Sequence, residues 1–156
     1  MKTLREIETA VADGLQAYLK CPVIRSNQTA PVPPYPYVSY TITSPILTDG
    51  STWATDTQTG RQFIDLPQVW SITVQSSNDT QALELAMRAF QWFDTEAGHP
   101  YLKEKEIAVQ SVGSIGNRDN LLSIEYEYRK GFDVTFLLRH YTEQSVTEVN
   151  GTIDNL

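Results

Sequence analysis

Cysteine is almost absent from this chain. Of 156 residues only Cys21 carries a thiol, so no intrachain disulfide can form and burial has to hold the fold. Long apolar runs are missing as well. No stretch approaches the roughly 18 residues that span a bilayer, which excludes a membrane partner by that route. The opening Met1-Lys2-Thr3-Leu4-Arg5-Glu6 lacks the apolar stretch of a secretory signal, so the chain reads as cytosolic at synthesis. Basic charge is scarce too: twelve Lys and Arg against nineteen Asp and Glu leave a net charge of −7, a balance that repels nucleic acid.

The groups that carry chemistry are equally sparse. His99 and His140 are the two histidines, and neither has a Cys or His at ligand spacing, so no metal is expected. His99, beside Gly98, is read as capping a helix end. Cys21 follows a helix end rather than a helix start, and reads as a small core residue, not a nucleophile. Asp94/Glu96 and Glu104/Glu106 are spaced like a solvated helix face and a strand edge, with no pocket to split their pKa values. Gly113-x-x-Gly116 precedes another strand rather than a helix, so it cannot cradle a phosphate. No catalytic residue and no cofactor are expected.

What the chain does have is alternation. In residues 117–141 two runs of period two meet at Arg129-Lys130-Gly131. Leu122, Ile124, Tyr126 and Tyr128 share one face, then Phe132, Val134, Phe136 and Leu138 do the same, with Asp133, Thr135 and Arg139 opposite. This describes a hairpin with one dry and one wet face, turning at 129–131. Upstream, Leu4, Ile7, Val11, Leu15 and Tyr18 predict a helix over 2–19, stopped by Cys21-Pro22. Residues 26–36, with four prolines, form an extended connector. Strands are expected over 37–43, 68–75 and 107–112. Between them Asn78 and Gln81 open a helix that runs to about Ala97, capped by Gly98 and stopped by Pro100. Its apolar stripe is unusually wide, with Leu83, Met87 and Trp92 beside the central Leu85, Ala89 and Phe93, so a second cover from a neighbouring subunit is expected.

Residues 47–67 are long for a loop and rich in Ser and Thr. Such loops are commonly functional. Drawn out as a hairpin arm they would reach roughly 30 Å at about 3.3 Å per residue, with Trp53 at the tip as an anchor. The alternative is a loop folded back on its own domain with Trp53 tucked beneath. Candidate interface residues are Asp49, Trp53, Arg61 and Phe63 in this segment, Trp92 on the helix, and Arg129 and Lys130 at the turn. The expected fold is α+β: a mainly antiparallel sheet of about five strands with two helices packed on one face, in the order α-β-β-α-β-β-β. Residues 1–142 form one domain and 143–156 a polar tail that is loose or docked on a partner.

Three stretches together resemble the tail-terminator type of phage or prophage neck protein. They are Tyr37-Val38-Ser39-Tyr40-Thr41-Ile42; the helix from Asn78-Asp79-Thr80-Gln81-Ala82 through Phe90-Gln91-Trp92-Phe93; and Ile115-Gly116-Asn117-Arg118-Asp119 followed by Glu125-Tyr126-Glu127-Tyr128-Arg129-Lys130-Gly131-Phe132-Asp133-Val134. With the element order, the resemblance covers most of residues 1–141. It implies a structural protein without catalytic residues, forming a homohexameric ring at the head-proximal end of a tail, in the virion neck, after assembly in the bacterial host cytoplasm. Its implied partners are itself, the tail-tube protein and the head-completion (stopper) protein, with DNA passing through the lumen without specific binding. Part of the acidic charge would line that lumen and keep DNA from sticking. The loop at 47–67 and the tail at 143–156 are the expected contacts with neighbours above or below. The alternatives are another phage ring component, a tail-tube or head-completion subunit, or a small ligand-binding domain with a pocket gathering His140, Cys21 or Asp133.

Overall fold

Helix α1 (Leu4–Leu19) begins where the Thr3 hydroxyl accepts the Glu6 N–H at 3.2 Å, and buries Ile7, Val11, Leu15 and Leu19. It ends at Lys20, whose left-handed backbone (φ 59°) turns its N–H onto the Gln16 carbonyl, just ahead of Cys21-Pro22. The computed structural model describes residues 3–119 and 127–143. The run 122–126 and the tail from 144 therefore lie outside the described residues.

The class is α+β, as expected, and the sheet is mainly antiparallel. Among the described residues it has seven strands rather than about five, and it is mixed. β1 (Val23–Arg25) runs parallel to β2 (Tyr37–Ser44). β2 then pairs antiparallel with β4 (Gln62–Ser76), β4 with β7 (Tyr128–Tyr141), and β7 with β5 (Ala108–Val112). Two short pieces lie off this path: β3 (Ala54–Thr55) on β4, and β6 (Gly116–Asn117) on β7. At two or three residues, β1, β3 and β6 are too short to alternate, so only pairing reveals them.

One face of the sheet is dry because its strands alternate. Val38 and Tyr40, Trp70, Ile72 and Val74, and Phe132, Val134, Phe136 and Leu138 are all buried with the apolar stripes of α1 and of α2 (Asp79–Asp94). Tyr40 stacks on Trp70 at 4.7 Å, and Phe136 meets Trp70 edge-on at 5.4 Å. The Asn78 side chain caps α2 by accepting the Gln81 N–H at 2.9 Å.

Three boundaries differ from expectation, each for a local reason. Arg129-Lys130-Gly131 is not a turn, because β7 runs straight through it, opposite Gln75, Val74 and Thr73. Gly131 serves close packing instead. A Cβ there would run into the Ile72 carbonyl and come within 2.9 Å of the Arg118 guanidinium. Pro67 does not end a strand either. Its carbonyl accepts the Leu47 N–H at 2.9 Å, so its missing donor faces the side where β2 has already stopped, and β4 continues. Finally, α2 ends at Asp94 and a third helix, α3 (His99–Glu104), follows. Gly98 is its N-cap and Pro100 lies in its first turn, where the absent N–H costs nothing.

Candidate assembly surface

β4 and β7 outrun the rest of the sheet. β2 leaves β4 at Val69, and β5 reaches only to Leu137 of β7. Beyond these points residues 62–66 and 138–141 continue as a two-stranded ribbon, with β3 added to its far edge. The segment 47–67 thus forms an arm, built on the extended start of β4.

The root of the arm is braced by charge and aromatic contacts. Arg139 donates to both oxygens of Asp65 at 2.8 and 3.0 Å and lies over the Phe63 ring at 4.1 Å. That bond holds the Asp65 carboxyl below the usual carboxylate range. Phe63 meets Tyr141, its cross-strand partner, at 6.1 Å. Arg61 lies over the Tyr141 ring at 4.7 Å and donates to the Thr142 carbonyl at 2.9 Å. The far end is a polar turn. The Asp56 carboxylate accepts the Gln58 N–H at 2.8 Å, and Gly60 adopts φ 73°, which favours glycine.

Trp53 precedes β3, so it is at neither the tip nor the underside of the arm. It is 49% exposed, and Ile46 (51%) and Leu47 (40%) are exposed in the same segment. Asp49 is exposed nearby and accepts the Ser51 N–H at 3.0 Å. Of the seven candidate residues, Arg61 and Phe63 are brought together at the root, and Asp49 and Trp53 lie along the arm.

Trp92 offers no surface. It is 2% exposed, in a slot that exists because Gly14 and Gly98 lack side chains. A Cβ at Gly14 would come within 2.8 Å of the indole, and one at Gly98 within 2.7 Å. Leu83 and Met87, in contrast, remain exposed on the outer side of α2.

Arg129 and Lys130 lie at the other end of β7, roughly 30 Å from the arm root at about 3.3 Å per residue. Lys130 is buried, and its ammonium binds Asp79 at 3.0 Å and both oxygens of Asp119 at 3.0 and 3.1 Å. Arg129 pairs with Glu127 at 3.1 Å. On the outer sheet face Arg118 donates to Ser71 at 2.6 Å, Thr73 at 3.0 Å and Asp133 at 3.2 Å. Arg118 and Lys130 thereby pin the 116–119 segment from opposite faces of β7. Sequence reading missed this clamp, and the only local signal was the conjunction of Arg118-Asp119 with a glycine in mid-strand.

The residues with chemical potential do not converge. Cys21 is buried and burial pushes its thiol up, so it stays protonated. It borders a recess with Asp13, Gln16 and Pro22, which neither His140 nor Asp133 lines. Burial lowers the His140 imidazole below its usual range. The His99 ring nitrogen lies 2.6 Å from the Phe93 carbonyl in the last turn of α2, consistent with a helix-capping contact. Among the described residues no helix is long and apolar enough to cross a membrane. No group of three or more His, Cys, Asp or Glu there could hold a metal.

The chain was compared with known proteins. A family model described as phage neck terminator protein matches residues 9–155. A search of curated proteins finds no match.

Proposed function

The chain belongs to the phage neck terminator family, and from that premise we propose that it works as a ring at the head-proximal end of the tail, where it ends growth of the tail tube and joins the tail to the head. The family is a structural one, so the work is done by surfaces. A ring needs the same heterologous contact repeated until it closes. The proposed partners are further copies of this chain, six to a ring, the tail-tube protein on one side and the head-completion protein on the other. DNA passes through the lumen, where acidic side chains keep it from sticking. Assembly takes place in the host cytoplasm.

The match over residues 9–155 carries this reading. It is supported by the exposed Ile46, Leu47 and Trp53 on the arm, and by chemically capable side chains that stay apart among the described residues. The test is tail assembly without the protein. Tubes that grow beyond normal length and never acquire heads are expected. Tubes of normal length that still join heads would overturn the assignment. Purified protein that polymerises by itself into long tubes would favour a tail-tube subunit instead.

A further inference from the structure

Among the described residues, the ribbon formed by β3, β4 and β7 has two unpaired edges, and they are complementary. Along β7, residues alternate between facing β4 and facing away from it. The Thr142 N–H donates to the Gln62 carbonyl, and Pro67, opposite Leu137, faces away from β7. Arg139 and Tyr141 therefore turn their backbone N–H and C=O outward, past the point where β5 ends. Among the described residues no strand pairs with them there. On the opposite edge, Gln62 faces β7, so its partner Thr55 turns its backbone groups away from the ribbon. By the same alternation Trp53 does too. Each edge thus offers two outward residues, two positions apart.

A cleft adjoins the β7 edge. It measures about 350 Å³ and is lined by Ile7, Lys103, Glu106, Ile107, Leu138 and Arg139. Its charges offset one another, Lys103 against Glu106, and Arg139 against the Asp65 it already binds. Such a site holds no ion strongly but suits a large uncharged ring.

We propose that Trp53 of one copy fills this cleft on the next, with its β3 segment adding to the open edge of β7 as a parallel strand. In that register Trp53 lies level with His140, its backbone bonding Arg139 and Tyr141. Its indole then falls on the inner face, the side of Leu138 and Ile7. Donor and acceptor edges are on opposite sides of one ribbon, so the contact is heterologous and can close into a ring. This inference rests on the ring reading above and names the contact that makes the ring. It gives the base of the arm a lateral role and leaves the polar turn at 56–60 for contacts along the tail axis.

Paired cysteines test the register. Ala54 and Tyr141 both flank Phe63 within a chain, which sets their Cα atoms about two strand spacings apart, roughly 9.6 Å. That is beyond the ~7 Å limit for a disulfide. Across the proposed contact they are direct partners. Full-length protein carrying both Ala54→Cys and Tyr141→Cys should give, under mild oxidation, a ladder of linked species up to the ring, and either single variant should give none. Trp53→Ala should weaken association about 30-fold or more, as loss of a hot-spot residue does, with an unchanged circular dichroism spectrum. Rings visible by negative stain that yield no ladder would overturn the contact while leaving the ring standing. Wild-type protein that forms no ring, alone or on isolated tails, would overturn both.

Discussion

Replacing Lys130 with Met removes the ammonium from the clamp while keeping most of the apolar stem. Its side chain is 6% exposed and its partners differ in exposure, Asp79 at 51% and Asp119 at 26%. Removing one member of a fully buried pair costs about 3–5 kcal/mol, whereas an exposed pair is worth about 0–1 kcal/mol. Asp79 regains water when Lys130 goes, and stays favourably placed in the first turn of α2. Asp119 keeps its bond from the Arg129 N–H at 2.5 Å but loses the Lys130 cation beside it. Between those limits Lys130→Met should cost about 2–3 kcal/mol near neutral pH. For a chain of this size that corresponds to a fall of about 5–10 °C in melting temperature.

The pH dependence of the Lys130 effect has a definite sign. Burial alone would raise the Asp119 carboxyl, but the Arg129 N–H and the Lys130 ammonium outweigh it and hold the group below its ordinary 3.8. Its contribution is therefore present above about pH 4 and is lost as pH falls through the lower folded value. Burial also opposes the Lys130 charge, but Asp79 and Asp119 outweigh it and raise that group above its ordinary 10.5. This contribution is present below about pH 10.5 and fades as pH rises through the higher folded value. Urea unfolding of wild type and variant across pH 2–7 would measure the difference, which should be largest near neutrality and shrink below about pH 4. A variant within about 0.5 kcal/mol of wild type at pH 7 would refute the clamp, because that is the range of an ordinary surface substitution.

Four further outcomes follow from the same structure. Gly131→Ala should destabilise by about 2 kcal/mol or more, from the clash with the Ile72 carbonyl and Arg118, whereas Gly116→Ala, directly opposite it with open space around, should change little; equal melting temperatures for the two would contradict the packing described. Cys21 should resist alkylation in the native protein and react only on unfolding, as its burial and raised pKa require; stoichiometric labelling of folded protein at pH 7 would show otherwise. Leu15→Ala, which empties a fully buried site on α1, should cost about 2–5 kcal/mol in chemical denaturation. Deleting residues 50–60 should leave a folded chain but tails that fail to join heads, and normal infectious particles from that deletion would remove the arm from the interface.

How much of this was legible in the sequence depends on how local the cause was. The inner face of β7 was fully readable, because Phe132, Val134, Phe136 and Leu138 repeat at period two and all are buried. The start of α2 was readable because Asn78 caps it through a bond only three residues long. Pro67 and Pro100 misled for the opposite reason. A proline stops a strand or a helix only if its missing N–H was needed, and that depends on where β2 ends and where α3 begins. The Arg129-Lys130-Gly131 turn failed likewise. Gly131 answers to Ile72 and Arg118, which are distant in sequence. Within the candidate surface, the exposure of Trp53 was legible from its place among Ser and Thr residues. Trp92 was not, since one of the two glycines that bury it, Gly14, is distant in sequence. The Asp65–Arg139 brace needed the register of β4 against β7, which no single strand reveals.

A closed ring of its own copies is the assembly proposed for this protein, and the mass of the native particle decides whether it forms. Light scattering on full-length protein, alone and with isolated tails, followed by negative-stain imaging, should find a closed ring of six 17.6 kDa chains. A monomer under every condition, including on tails, or an open filament that grows with concentration, would rule the ring out.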